Sequence, residues 1–316
     1  MRSNYPPIRQ NRPVQTPEAS YDALTDRVAS LYEQGAYEQA LAVLDDAGDT
    51  LLPWVAELTH LRACLLAVLG RPEAALAALQ SAASTGSWWD ESLLTEDDDL
   101  ATLQDLPSFE DLLKLSRTHR DADLSSRPAS AEPVVQLPSG EVRGVVVALH
   151  GAGQRATHAA RDWASVTSLG YALVCVESSQ LMSPMYRTWP DPSRSRNDVA
   201  EALAHLPLEL QSLPVIAAGF SAGGRVALDW ALRAQPQPVD GVVVLAPAIR
   251  QLPAEAIGVL EPAVVLLGTD DDLRDVVEEA GEQLRRFGVA VEWLPGVGHE
   301  FPADFADRLE RVLFRK

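Results

Sequence analysis

From residue 134 onward, short apolar runs alternate with amphipathic helical segments, and few folds tolerate that alternation. The runs are Val134–Leu137, Val142–Leu149, Ala172–Val176, Pro214–Phe220, Gly241–Leu245, Ala263–Leu267 and Val289–Leu294. Runs this short and this continuously apolar are strands buried on both faces, and interleaved helices make the sheet largely parallel, with a helical layer on each side. Pro138-Ser139-Gly140 reads as a hairpin turn between the first two runs, so the sheet is expected to begin antiparallel.

The preceding stretch has another grammar. Leu24, Val28, Leu31 and Tyr32 fall on one helical face, as do Trp54, Leu58, Leu61, Leu65 and Leu69, and Gly35 and Gly70 follow as stop signals. Gly35, Glu38, Ala40, Leu41, Leu44 and Ala47 return as Gly70, Glu73, Ala75, Leu76, Leu79 and Ala82, each offset by 35. GAYEQALAVLDDA and GRPEAALAALQSA thereby resemble the turn and second helix of tetratricopeptide repeats, whose period is about 34 residues. Two such units cannot bury their faces alone, so Trp88 to Leu115 is expected to supply capping helices. The predicted organisation is a helical domain over 16–118, a polar Pro/Ser-rich linker over 119–132, and an α/β domain over 133–316.

Composition narrows the partners. Across 316 residues, 47% apolar, the formal net charge is −19, which repels phosphate backbones and anionic lipid heads and so disfavours nucleic acid and membrane surfaces. No run of eighteen uninterrupted apolar residues occurs, and Met1 to Thr16 has no apolar signal core. Cys64 and Cys175 sit in apolar runs and read as buried, reduced thiols. A cytoplasmic location is expected.

The chemistry converges on four loops. Gly219-Phe220-Ser221-Ala222-Gly223 joins a strand to a helix, the G-x-S-x-G elbow in its required context. A serine on so sharp a turn stands clear of the sheet, and side chains two residues to either side would collide, hence the glycines. The helix that follows points its positive end at the serine. A second strand runs into His150-Gly151-Ala152-Gly153, a loop suited to presenting a further backbone N–H to an oxyanion. The donors are then Ala222 and Ala152, with Gly153 as the alternative. His150 itself reads as a structural residue bonding the loop. A third strand ends in Gly268-Thr269-Asp270-Asp271-Asp272, and the loop after the last strand carries Gly298-His299-Glu300-Phe301. Serine, acid and histidine stand in the order of a nucleophile, an orienter and a base. Of the histidines, only His299 lies where a base is needed.

HGAGQ, VESSQ followed by Trp189-Pro190-Asp191, GFSAGG, GTDDD and GHEF together resemble the phospholipase/carboxylesterase branch of the α/β-hydrolase superfamily, acyl-thioesterases included, over about 180 residues. The resemblance implies a serine hydrolase cleaving carboxylic esters or thioesters through an acyl-enzyme. It assigns the acid to Asp271, three residues past Gly268, leaving Asp272 to cap the next helix and Asp270 to the turn. The branch commonly has GFSQGG, where this chain has Ala222, so its substrate preference does not carry over.

Only about 14 residues separate the strand region ending near Ala248 from Ala263, too few for an inserted cap. The loop Glu177–Asp198, with Met182, Met185, Tyr186 and Trp189, is therefore the expected pocket wall, and Gly153 is expected to line it too. Neither metal-ligand spacing nor a phosphate-binding glycine loop occurs, and the chemistry needs no cofactor. A small-molecule ester is the expected partner, with a protein partner possible for the helical repeats. Two other readings stay open: a peptidase using the same triad, and a protein-interaction module on a hydrolase-fold scaffold.

Overall fold

The structure is a computed structural model describing residues 16–47, 49–127 and 132–314. It divides into two compact units, residues up to Ser126 together with Ser183–Met185, and the remainder from Arg127.

The first unit is all helical: α1 (Pro17–Glu33), α2 (Tyr37–Asp45), α3 (Val55–Val68), α4 (Pro72–Ser84), α5 (Glu91–Thr95) and α6 (Phe109–Ser126), with short 3₁₀ turns at Asp49–Trp54 and Asp98–Leu103. Thr16 starts α1 by accepting the Ala19 N–H, as an N-cap threonine does. Gly35 and Gly70 end the first helix of each hairpin at φ of 69° and 73°, a left-handed conformation that glycine adopts without penalty. The Trp88–Leu115 stretch supplies α5, a 3₁₀ turn and the start of α6, and buries both tryptophans. The Trp89 indole donates to the Ala56 carbonyl at 3.0 Å, and its backbone closes on Ser116 Oγ at 2.7 Å. Within this unit the buried Glu57 accepts from Ser183 Oγ at 2.5 Å and from Met185 N–H at 2.8 Å.

Residues 119–126, expected as linker, are helical. Arg120 pairs with Asp90 at 3.2 Å and Asp123 accepts the Trp88 indole at 2.9 Å, so a polar sequence is held in α6 by partners far away in the chain. Residues 128–131 of that stretch lie outside the described residues. Leu51–Val68 reaches the length and hydropathy of a membrane-crossing helix, but it carries Glu57, His60 and Arg62 and buries Ala56, Ala63 and Leu65 in the helical core.

The second unit holds a seven-stranded sheet: β1 (Val134–Gln136), β2 (Gly144–Leu149), β3 (Tyr171–Val176), β4 (Val215–Phe220), β5 (Gly241–Leu245), β6 (Ala263–Gly268) and β7 (Ala290–Leu294), in spatial order β1-β3-β2-β4-β5-β6-β7. β1 is antiparallel and every other pairing is parallel. The sheet does begin antiparallel, but Pro138–Gly140 makes no hairpin. Both edges of β2 are taken by β3 and β4, so β1 crosses to the outer edge of β3. Among the described residues seven helices accompany the sheet: α7 (Ala156–Asp162), α8 (Ser165–Ser168), α9 (Pro192–Ala204), α10 (Leu208–Gln211), α11 (Ser221–Arg233), α12 (Arg274–Arg286) and α13 (Phe305–Leu313). Strands β2, β4 and β5 are buried along their whole length, as their apolar runs require. Because β2, β4, β6 and β7 run parallel, the loops that follow them all leave from one edge of the sheet, where such folds bind their ligands. This is the α/β-hydrolase fold, preceded by a helical domain.

Candidate active site

Ser221 stands at the β4–α11 junction with φ of 52°, a strained setting for a residue with a side chain, costing roughly 1–3 kcal/mol. The flanking glycines are sterically obligatory. A Cβ on Gly219 would lie 2.6 Å from the Gly223 backbone, and one on Gly223 would lie 2.4 Å from the carbonyl oxygens of Leu149 and His150. Helix α11 can thus press directly against the end of β2, bringing the His150–Gly153 loop beside the serine.

The acid and histidine loops are stitched to each other. Thr269 N–H donates to Leu294 O at 3.0 Å, Asp270 N–H to Val297 O at 3.0 Å, and Gly296 N–H to Thr269 Oγ1 at 2.9 Å. Gly268 permits this approach, since a Cβ there would meet Val297 O at 2.0 Å. The result brings three separated residues into line. His299 Nε2 lies 3.0 Å from Ser221 Oγ, and its Nδ1 lies 3.0 and 3.2 Å from the two oxygens of Asp271. The Asp271 side chain is wholly buried while that of His299 is one-third exposed. The imidazole rests against Phe220, ring centroids 4.9 Å apart, and Phe220 rests in turn on Phe301. That aromatic support went unread in the sequence, although Phe301 closes the GHEF motif.

Asp271 also accepts the Leu273 N–H at 2.7 Å. The capping role expected of Asp272 is therefore not realised. Helix α12 begins at Arg274 after Leu273, and Asp272 is exposed. Asp270 accepts from Thr269 Oγ1, a turn contact.

The HGAG loop separates its three amides. Gly151 N–H donates to Gln154 Oε1 at 2.9 Å and Gly153 N–H to Arg187 O at 2.8 Å. Gly153 is thereby excluded as an oxyanion donor. No intramolecular acceptor meets the N–H of Ala152 or Ala222 among the described residues. His150 is fully buried and structural. Its Nδ1 faces Gly151 O at 2.8 Å and its Nε2 accepts the Ser178 N–H at 3.2 Å. Burial lowers its pKa to about 4.

The expected pocket wall is only partly so. Trp189 is core: it is completely buried and its indole donates to His150 O at 2.8 Å. The loop is shorter than its sequence suggests, because Asp191 caps α9 and Pro192–Ala204 is helical. Met182 is buried, its N–H donating to Tyr186 O at 2.9 Å, and Met185 belongs to the first unit. The half-buried Tyr186 packs its ring on Gly153, within 3.0 Å of where a Cβ would be.

Glu177, at the end of β3, was also missed. It accepts the Ala156 N–H at 2.6 Å and pairs with Arg155 at 3.1 Å and Arg187 at 3.0 Å. Burial alone would raise its carboxyl, but the Ala156 N–H and the two guanidiniums outweigh that and hold it below the usual range. It fixes the loop whose Arg187 carbonyl takes the Gly153 amide. An acid closing the apolar run YALVCVE was the available signal.

In the helical unit His60, Cys64 and Asp97 converge. His60 turns Nε2 to Leu93 O and Asp97 but Nδ1 to Cys64 Sγ, so its two polar side-chain neighbours use opposite ring nitrogens and the group closes as a hydrogen-bond network.

Residues 20–123 match the family model described as A/B hydrolase-like, N-terminal domain, and residues 140–269 match that described as serine aminopeptidase, S33. The tetratricopeptide resemblance is not confirmed. No curated protein matches the chain. Among solved structures, an uncharacterised protein of Bacillus cereus ATCC 10987 is 21% identical, with 92% of this chain and 97% of that one covered and a TM-score of 0.46. Esterase PE8 is 21% identical over 58% of this chain and 98% of its own, with a TM-score of 0.49. A Bacillus cereus carboxylesterase is 19% identical over 57% and 91%, with a TM-score of 0.47. The chain thus has the α/β-hydrolase fold, with one stretch similar to an A/B hydrolase-like N-terminal domain and another similar to a serine-aminopeptidase-type hydrolase domain.

Proposed function

We propose that the protein hydrolyses carboxylic esters, thioesters among them, through an acyl-enzyme on Ser221. The observation that carries this reading is the unbroken contact from Asp271 through His299 to Ser221 Oγ. His299 Nε2 takes the Ser221 proton as Oγ attacks the acyl carbon, and the buried Asp271 holds the imidazole in the tautomer that can do so. The N–H groups of Ala222 and Ala152, unspent among the described residues, receive the oxyanion. His299 then returns the proton to the leaving group, and water releases the acyl group by the same path. Tyr186 and Met182 serve as the apolar wall beside Gly153. The two free, buried thiols, Cys64 and Cys175, support a reducing, cytoplasmic setting.

A second reading, an amide substrate, is favoured by the description of the family model over residues 140–269. One oxyanion hole serves both bonds, so substrate comparison decides. A fluorophosphonate probe is expected to label Ser221, and Ser221→Ala to abolish both labelling and turnover of p-nitrophenyl esters. Labelling that survives the substitution removes Ser221 as nucleophile. Higher kcat/KM on aminoacyl p-nitroanilides than on esters gives the second reading precedence.

A further inference from the structure

A cavity of about 400 Å³ lies between α9 and α11, floored by the segment that follows β5. Neither Ser221, Asp271 nor His299 lines it, so it is separate from the triad. Its walls hold four arginines: Arg196 from α9, Arg225 and Arg233 from α11, and Arg250 from the segment after β5. Asp229 is the one acidic residue among its described lining. In a chain of formal net charge −19, such a concentration of cations is against the average of the surface.

Their partners make the imbalance sharper. Arg225, Asp229 and Arg233 are four residues apart along α11 and so share a face. Asp229 is committed to Arg233, Oδ1 to Nε at 2.6 Å. Arg225 spends a hydrogen bond on the Trp189 carbonyl, and among the described residues neither it nor Arg196 nor Arg250 forms an ion pair. Burial, and then the charge of Arg250, lower the Arg225 pKa, and Asp229 offsets them only in part. Arg196 and Arg225 are half-buried and Arg250 is exposed at the rim; cations gathered this way without carboxylate partners of their own are costly, and an anion relieves the cost. The planar fork of donors on each arginine matches a carboxylate or phosphate edge to edge.

We infer that this α9–α11 cleft is a binding site for a small, oxyanion-rich molecule, a phosphate or polycarboxylate, held by Arg196, Arg225 and Arg250. Ile249, Leu252 and Pro236 leave room for an apolar body beside the charged head. Arg225 stands one helical turn beyond Ser221, so the occupant lies along the nucleophile's helix without touching the reacting atoms.

Titration calorimetry on the full chain at low ionic strength tests the site, with inorganic phosphate in one arm and citrate in the other. Saturable binding is expected in at least one arm, and the tighter arm names the ligand class. Arg196→Gln/Arg250→Gln should weaken it about tenfold or more, since two charge-assisted contacts are lost, while turnover of p-nitrophenyl esters stays unchanged. Should the double variant fold poorly, Arg250→Glu, at an exposed position, must weaken binding at least as much. Absence of saturable heat in both arms, or affinity unmoved by the folded variant, overturns the inference.

Discussion

Replacing Asp271 by asparagine keeps the side chain's shape and removes its charge, which isolates what the carboxylate does. Its oxygens have two clients, the Leu273 N–H at 2.7 Å and His299 Nδ1 at 3.0 and 3.2 Å. An asparagine that keeps its oxygen on Leu273 must turn its NH₂ toward His299. Nδ1 then becomes the acceptor, the ring proton moves to Nε2, and Nε2 can no longer take the proton of Ser221. A wrong tautomer of this kind costs about 10⁴-fold in kcat, or about 5 kcal/mol of transition-state stabilisation. The fold should lose far less, about 1 kcal/mol, because both hydrogen bonds can still be made. Asp270→Asn and Asp272→Asn remove exposed carboxylates and should move stability by no more than about 0.5 kcal/mol, with turnover near wild type. Turnover of p-nitrophenyl acetate and thermal unfolding, measured on the same samples, separate these effects. A folded Asp271→Asn that keeps a tenth of wild-type turnover refutes the reasoning, as does a large loss at either neighbour.

His150 gives a pH signature. Its folded pKa of about 4 lies below the unfolded value of about 6.5, so only the unfolded chain binds the extra proton between the two. Stability is whole above pH 6.5 and falls as pH drops toward 4, by about 3 kcal/mol in all. Urea midpoints for wild type and His150→Asn should show that slope only in the wild type, and equal slopes refute it. Glu177, Arg187 and His158 face the same ring, and the depressed carboxyl of Glu177 adds a loss of the same sign at lower pH. Two glycine-to-alanine changes should act oppositely. Gly223→Ala drives a Cβ to within 2.4 Å of backbone and should prevent folding, whereas Gly281→Ala, with open space in mid-α12, should stabilise by about 1 kcal/mol. Expression yield and melting temperature decide both.

The meeting of Ser221, His299 and Asp271 could be read from the chain because each sits in a short segment whose constraint is local. Glycines around Ser221 report a clash, Gly268 reports loops that must touch, and Gly296 reports a left-handed turn. What was not local stayed hidden. Glu177 acts through Ala156, Arg155 and Arg187, none adjacent in sequence, and Phe220 supports His299 across 79 residues. Trp189 was misread because an aromatic in a loop does not announce whether it faces a pocket or the core, and only its bond to His150 O decides. The edge position of β1 depended on which strands had already claimed β2. Residues 119–126 looked like linker because their helix is held by Asp90 and Trp88, both distant in sequence.

The two helical hairpins agree in more than spacing. Gly35 N–H bonds Tyr32 O and Ala36 N–H bonds Leu31 O; Gly70 N–H bonds Ala67 O and Arg71 N–H bonds Leu66 O, each pair displaced by 35. These paired bonds are those of a helix that stops on a left-handed glycine, so the two helices end by one geometry. Arg71, after the second glycine, reaches back to Glu38, after the first; Glu38 has its counterpart in Glu73, whereas Arg71 stands opposite Ala36. The two helix ends are thus set alike, and the Arg71–Glu38 pair ties the segment after one glycine to the segment after the other.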